Sequence, residues 1–266
     1  MIRAALALIL LVTSSAARAD EVVLYGAGSL RAALGAIASD YSSKSGHVVR
    51  TQFGPSGVMR DKIEAGDNVD LFASADMGNA LKLRSDGKAV AVVMFVRNDL
   101  CAFAKPDVGL TSANFGEKLL DPSVKLGTST PKADPGGDYT WAMFHLVDKT
   151  KPGAFEALDA KAQKIVGASA TVDPANPDPI QSAFKSGKIN VMIGYCSGAA
   201  QQKADVPDVE TVTIPEKYAI GPEYGLAITS FEKPAALGLA MAILSPEGQA
   251  TFAKFGFVPI GLPAPK

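Results

Sequence analysis

From Val22 onward, short apolar runs alternate with stretches whose apolar residues recur at helical spacing. Val22 to Tyr25, Val48 to Phe53 and Val69 to Ala73 read as strands, with a helical stretch between each pair. This βαβ rhythm predicts parallel strands. In the first helix Leu30, Leu34, Ile37 and Tyr41 form one apolar stripe to lay against a sheet, and Gly46 stops the helix.

The apolar run from Ala89 to Ala104 is too long for one ordinary strand, and Arg97, Asn98 and Asp99 interrupt it. It reads as two strands joined at a crossover between lobes. A second passage, Ile214 to Ile228, is punctuated by Pro215, Gly221, Pro222 and Gly225. Two crossings make a hinge. The predicted fold is α/β with two lobes, each a mainly parallel sheet flanked by helices: residues 20–97 plus 216–266 in lobe 1, and 98–215 in lobe 2. Lobe 2 repeats the pattern with a short strand at Lys125 to Gly127, a helix at Tyr139 to Val147 and a buried strand at Asn190 to Tyr195. Ser245 and Pro246 start a C-terminal helix, and the Pro-rich end, Pro259 to Pro265, reads as a fraying tail.

The N-terminus changes the setting. Arg3, an apolar run from Ala4 to Val12 and small residues ending at Ala19 have the layout of a cleavable secretory signal, residues 1–19, too short to span a bilayer. No Cys follows the cleavage point to carry a lipid anchor, so the mature protein is expected free in a periplasm. Cleavage would leave 24 of the 26 basic side chains against 27 acidic ones, a formal charge of −3. That balance provides no basic field for nucleic acid or lipid headgroups. Cys101 and Cys196 are the two cysteines. An even count in an oxidising compartment favours a disulfide, although small apolar cysteines also sit reduced in cores, and sequence leaves the two alternatives open.

Candidate chemistry lies where strands run into helices through small, hydroxyl-bearing turns: Gly26, Ala27, Gly28, Ser29, and Gly54, Pro55, Ser56, Gly57. A helix start exposes backbone N–H groups and the positive end of its dipole, which suits an anion. One such turn is equally an ordinary N-cap, but turns after successive parallel strands gather on one sheet edge, where ligands bind. A third turn, from Asp134 through Gly136, Gly137 and Asp138 to Tyr139, would face them across a cleft; its bland reading is a tight turn with Asp138 as cap. Other chemistries fit poorly. A dinucleotide fingerprint after Gly26 and Gly28 has Arg31 in place of its third glycine. The chain has only His47 and His145, no His or Cys pairs at metal-ligand spacing, and no G-x-S-x-G elbow. His145 lies in an apolar helix and reads as packed.

The segments YGAGSLRAALGAIASDYSSKSG and FGPSGVMRDKIEAGDNVDLFASAD, with PGGDYT, NVMIGYCSGA and AILSPEGQATFAKFGFVPIG, resemble the molybdate-binding proteins of ABC transporters, the ModA family. The resemblance spans the mature chain. It implies a class II periplasmic-binding-protein fold, a monomer without cofactor, an inner-membrane permease as partner, and molybdate or tungstate held by uncharged donors. Those donors map to the hydroxyls of Ser29 and Ser56, the amide of Gly136 and the hydroxyl of Tyr195; Gly57 and Gly137 are additional candidates. Two departures stand out. Pro179 occupies a position where the family has another amide donor, and proline has no N–H, so Ile180 would have to supply it. Asp138 would repel an anion unless it turns away or ligates the metal of the oxyanion. Another small oxyanion or an organic acid is therefore the rival ligand; a secreted enzyme acting on a small anionic substrate is the more distant alternative.

Overall fold

The computed structural model describes residues 20–167 and 178–261; the expected signal segment, residues 1–19, lies outside the described residues. The described strands are β1 (Glu21–Ala27), β2 (Val48–Gly54), β3 (Leu71–Ser74), β4 (Ala91–Arg97), β5 (Leu100–Ala104), β6 (Leu126–Ser129), β7 (Gln163–Val166), β8 (Val191–Tyr195), β9 (Glu210–Thr213), β10 (Glu223–Ile228) and β11 (Val258–Pro259). The helices are α1 (Arg31–Ser45), α2 (Ser56–Glu64), α3 (Met77–Ser85), α4 (Phe115–Lys118), α5 (Pro135–Thr150), α6 (Ala154–Lys161), α7 (Pro179–Lys185), α8 (Ala199–Asp205), α9 (Pro234–Leu244) and α10 (Pro246–Lys254).

The strands form two sheets, ordered β11-β4-β10-β3-β1-β2 and β7-β6-β8-β5-β9. The chain passes between them after β4, which ends at Arg97, and after β9, which ends at Thr213. Both faces of each sheet are covered. In the first sheet Leu24, Leu71 and Leu226 pack with Leu34 and Leu239 on one side, while Phe72 packs with Met59 and Leu83 on the other. In the second, Ala102 and Ile193 meet Phe144, and Phe103 and Met192 meet Phe184 on the reverse face. Double coverage explains why β5 is buried at every position and reads as a continuous apolar run rather than an alternating one.

The sheets are mixed, where the βαβ rhythm predicts mainly parallel ones. β1 is parallel to β2 and β3, and β6 to β7 and β8. β10, however, is antiparallel to both β3 and β4, and β5 to both β8 and β9. Both are the strands that arrive from the other lobe. They enter through a crossover without a helix packed back on the sheet, so nothing compels a parallel return.

Local signals act as expected in α1. Leu34 and Ile37 are buried, the Tyr41 hydroxyl donates to the Ala235 carbonyl at 2.8 Å, and Gly46 ends the helix at φ 75°, a left-handed conformation that favours glycine. Ser245 caps α10 by accepting from the Gly248 N–H at 3.1 Å. The expectation of a fraying tail from Pro259 is corrected in part. Val258 and Pro259 pair with Arg97 and Val96 at the sheet edge, where proline is tolerated, and the Ile260 N–H donates to Gln249 Oε1 at 2.9 Å; residues 262–265 lie outside the described residues. His145 is on the exposed face of α5, stacked on Phe155 with ring centroids 3.9 Å apart, rather than packed inside. Cys101 and Cys196 are joined by a disulfide that ties β5 to the turn after β8.

Candidate functional site

β1 and β2 pair in parallel with Ala27 opposite Gly54, and Ser29 and Ser56 each follow two residues later. Their separation in sequence is thus the strand register itself, and both turns sit on one sheet edge. The two hydroxyls have different surroundings. Ser29, in a single 3-10 turn before α1, is partly exposed, and its Oγ lies 3.0 Å from the Tyr224 hydroxyl. Ser56, the first residue of α2, is 1% exposed and accepts from the Ala75 N–H at 3.0 Å.

Across the gap, the start of α5 is capped by Asp134, whose Oδ1 accepts from the Gly136 N–H at 2.8 Å. Gly136 is packed tightly: a methyl group there would lie 3.1 Å from Asp134 Oδ1, 3.3 Å from Ser129 Oγ and 3.4 Å from the Tyr195 ring. Gly137 presses its Cα against the backbone of Thr130 and Pro131 and donates to the Asp134 carbonyl at 2.9 Å. Asp138 directs its carboxylate onto the Lys132 N–H, at 3.0 and 3.2 Å. That contact serves Lys132, whose backbone is left-handed at φ 68°. Pro179 is the first residue of α7, and the Ile180 N–H donates to the capping Asp178 at 2.8 Å. The amides of Gly136 and Ile180 are therefore engaged by carboxylates of their own caps.

Tyr195 ends β8 and packs against the cores of both lobes. Its ring meets Tyr224 edge-on at 5.7 Å, and its hydroxyl is buried without a hydrogen-bond partner among the described residues. Burial, reinforced by the neighbouring Tyr224 and Asp134, holds this phenol well above its ordinary pKa, so it is a neutral donor at physiological pH. The Gln202 Oε1 is likewise buried and unpartnered.

These groups enclose an interlobe cleft of about 580 Å³, lined among others by Ser29, Arg31, Ser129, Asp134, Ile180, Tyr195, Ser197 and Gln202. Ser56 does not line it, but its neighbour Gly57 forms the contact between lobes: the Gly57 N–H donates to the Ala133 carbonyl at 3.2 Å. Glycine is required there, because a Cβ would fall 2.6 Å from the Lys132 carbonyl oxygen. Asp134 is the unusual group. Burial pushes its carboxyl up to about 6, with Asp138 and Asp76 raising it further and the Gly136 N–H opposing.

Sequence reading missed Asp134 and Ser197 as cleft groups, and Tyr224 and Asn98 behind them. Asp-Pro at a helix start signals a cap, but nothing local says that the cap is half-buried in a cleft wall. Asn98, 1% exposed, donates from Nδ2 to Ser197 Oγ at 2.8 Å and to the Tyr224 hydroxyl at 3.1 Å. Its own N–H reaches the Pro222 carbonyl at 3.0 Å, so it fastens one crossover to the other.

Residues 22–258 match the model of the bacterial extracellular solute-binding proteins. The chain belongs to that family. It is 34% identical over 215 residues to an uncharacterised protein of Pasteurella multocida, covering 79% of this chain and 87% of that one. A shorter match, 37% over 76 residues, covers 29% of this chain and 30% of the molybdate-binding protein ModA of Azotobacter vinelandii. Among solved structures, the periplasmic molybdate-binding protein of that organism is similar with a TM-score of 0.71 at 21% identity, over 91% of this chain and all of that one. The L-phospholactate-bound Peb3 protein of Campylobacter jejuni is similar with a TM-score of 0.70 at 18% identity, over 90% of this chain and all of that one. These likenesses show a two-lobed solute-binding fold. The family is one of carriers that pass a small ligand to an ABC transporter, and no helix among the described residues is long and apolar enough to cross a membrane.

Proposed function

We propose that this solute-binding protein works in the periplasm and holds a small oxyanion-bearing solute in the interlobe cleft, between Ser29 on one lobe and Tyr195 and the start of α5 on the other. The observation that carries the reading is the Tyr195 hydroxyl: buried, neutral, without a partner, and set in the cleft wall. A buried hydroxyl left unpaired costs about 1–3 kcal/mol, and an anionic acceptor would recover it. Arg31 at the cleft adds a positive charge, its guanidinium poised over the Phe53 ring. Lobe closure around the guest about the two crossovers would present one shape to the permease.

An organic anion that also carries hydroxyl groups fits this cleft better than a bare metal oxyanion, because its hydroxyls can donate to the carboxylates lining the space. Asp134 and Asp178 line the space and already take the Gly136 and Ile180 amides. At an effective dielectric of about 20, a unit negative charge about 4 Å from an ionised carboxylate is disfavoured by roughly 4 kcal/mol. The molybdate or tungstate reading retains two supports, the partial match to ModA and the matched placement of Ser29 and Ser56 on adjoining strand ends. The Ser56 hydroxyl, Gly57 and Gly137 then act as second-rank elements of the site, shaping its walls.

Titration calorimetry with L-phospholactate, phosphate, sulfate, molybdate and tungstate tests the reading. Heat with at least one of these at micromolar protein is expected, and Ser29→Ala or Tyr195→Phe should weaken it roughly five- to thirtyfold, the equivalent of about 1–2 kcal/mol. Silence with all five anions overturns it.

A further inference from the structure

Asp134 serves no purpose in a cage made of donors alone. Its carboxylate lines the cleft, and its one hydrogen bond among the described residues is the cap to Gly136, made by Oδ1. Its Oδ1, the Ser129 hydroxyl and the Tyr195 ring converge beside Gly136, and the Tyr195 hydroxyl has no partner among the described residues. Among the described residues no Lys or Arg forms a salt bridge with it. The titratable groups that act on Asp134 or feel it are acidic or phenolic: Asp138 on its own helix, Asp76 at the start of α3, and Tyr195 and Tyr224. Asp178 and Arg31 line the same cleft. With the Gly136 N–H as its one protein donor among the described residues, the Asp134 carboxylate keeps lone pairs free to accept from a guest in the cleft.

We propose that Asp134 reads a proton on the solute: the ligand donates a hydroxyl or acid proton to this carboxylate while its oxyanion group meets Tyr195 and Ser29. The assignment rests on the anion-binding reading above and sharpens it. A ligand that brings its own donor binds with Asp134 ionised. A fully deprotonated tetraoxyanion can bind only after Asp134 takes up a proton, and because burial pushes that carboxyl up to about 6, the protonated form becomes scarce as pH rises. The cleft thus selects against sulfate and molybdate at neutral and alkaline pH, and favours hydrogen phosphate, phosphate esters bearing hydroxyls, and hydroxy acids.

Binding of sulfate, molybdate and inorganic phosphate to the full-length mature protein at about pH 6 and about pH 8 separates the alternatives. Sulfate and molybdate carry no proton in that range, so their affinity should fall more than tenfold, consistent with one proton taken up by a group near pH 6. Phosphate, which keeps a proton, should fall much less. In Asp134→Asn, which retains a good N-cap and offers an amide donor to the guest, the loss should disappear and sulfate should bind more tightly at pH 8 than it does to the wild type. Sulfate or molybdate affinity that is the same at both pH values in the wild type overturns the assignment without touching the anion reading, as does an unchanged profile in Asp134→Asn. Failure of every probe to bind at either pH overturns both.

Discussion

The Ser29 hydroxyl and the Tyr224 hydroxyl lie 3.0 Å apart although 195 residues separate them in sequence. Asn98 stands behind this pair. Asn98 Oδ1 accepts from the Asp99 N–H at 2.9 Å, which orients the amide so that Nδ2 faces the Tyr224 oxygen. With that oxygen accepting from Asn98, the Tyr224 and Ser29 hydroxyls share a hydrogen bond in which either can donate. Donors in such a chain polarise one another. Tyr224→Phe should therefore weaken ligand binding roughly three- to tenfold and lower stability by about 1 kcal/mol; calorimetry and urea unfolding check the two effects separately.

Gly57 should set how far the lobes close. In Gly57→Ala the added methyl meets backbone carbonyls of Lys132 and Ala133, which cannot swing aside as a side chain could. The helix itself gains up to about 1 kcal/mol from alanine. We expect a protein at least as stable as the wild type that scatters X-rays as a more open particle and binds its ligand at least tenfold more weakly. Unchanged scattering together with unchanged affinity would remove the lobe contact from the mechanism.

The disulfide between Cys101 and Cys196 closes a sequence separation of 95 residues, and Cys196 directly follows Tyr195. Replacing both with serine should cost about 2–5 kcal/mol of stability. Ligand affinity should fall as well, because the backbone under Tyr195 loses its anchor to β5. A reductant should lower the thermal midpoint of the wild type and leave the double variant unaffected.

Asp134 makes a separate prediction for the ligand-free protein. Its folded pKa is pushed up to about 6, above about 3.9 for a free aspartate. The folded state therefore binds more protons than the unfolded state between about pH 4 and about pH 6, and stability drawn from this group falls as pH rises through that window. Asp134→Asn removes the effect. Relative to the wild type, the variant should gain about 1–3 kcal/mol on going from pH 4 to pH 7, measured by denaturant unfolding. A constant difference between the two proteins across that range would mean that the carboxyl is not held up by burial.

The sequence by itself determined the features that rest on local chemistry. The apolar stripe and stop of α1, the paired strand ends bearing Ser29 and Ser56, the break at Arg97 to Asp99 and the cap at Ser245 are each written in adjacent or helically spaced residues. Only the tertiary structure decided what those residues face. The direction of β5 and β10, the placement of the Asp134 cap in the cleft wall, the orphaned Tyr195 hydroxyl and the path from Asn98 through Tyr224 to Ser29 all join segments far apart in the chain. Periodicity reports whether a side chain turns inward, but desolvation and partner choice depend on which distant atoms arrive beside it, and these turned a donor-only cage into a cleft that contains an acceptor.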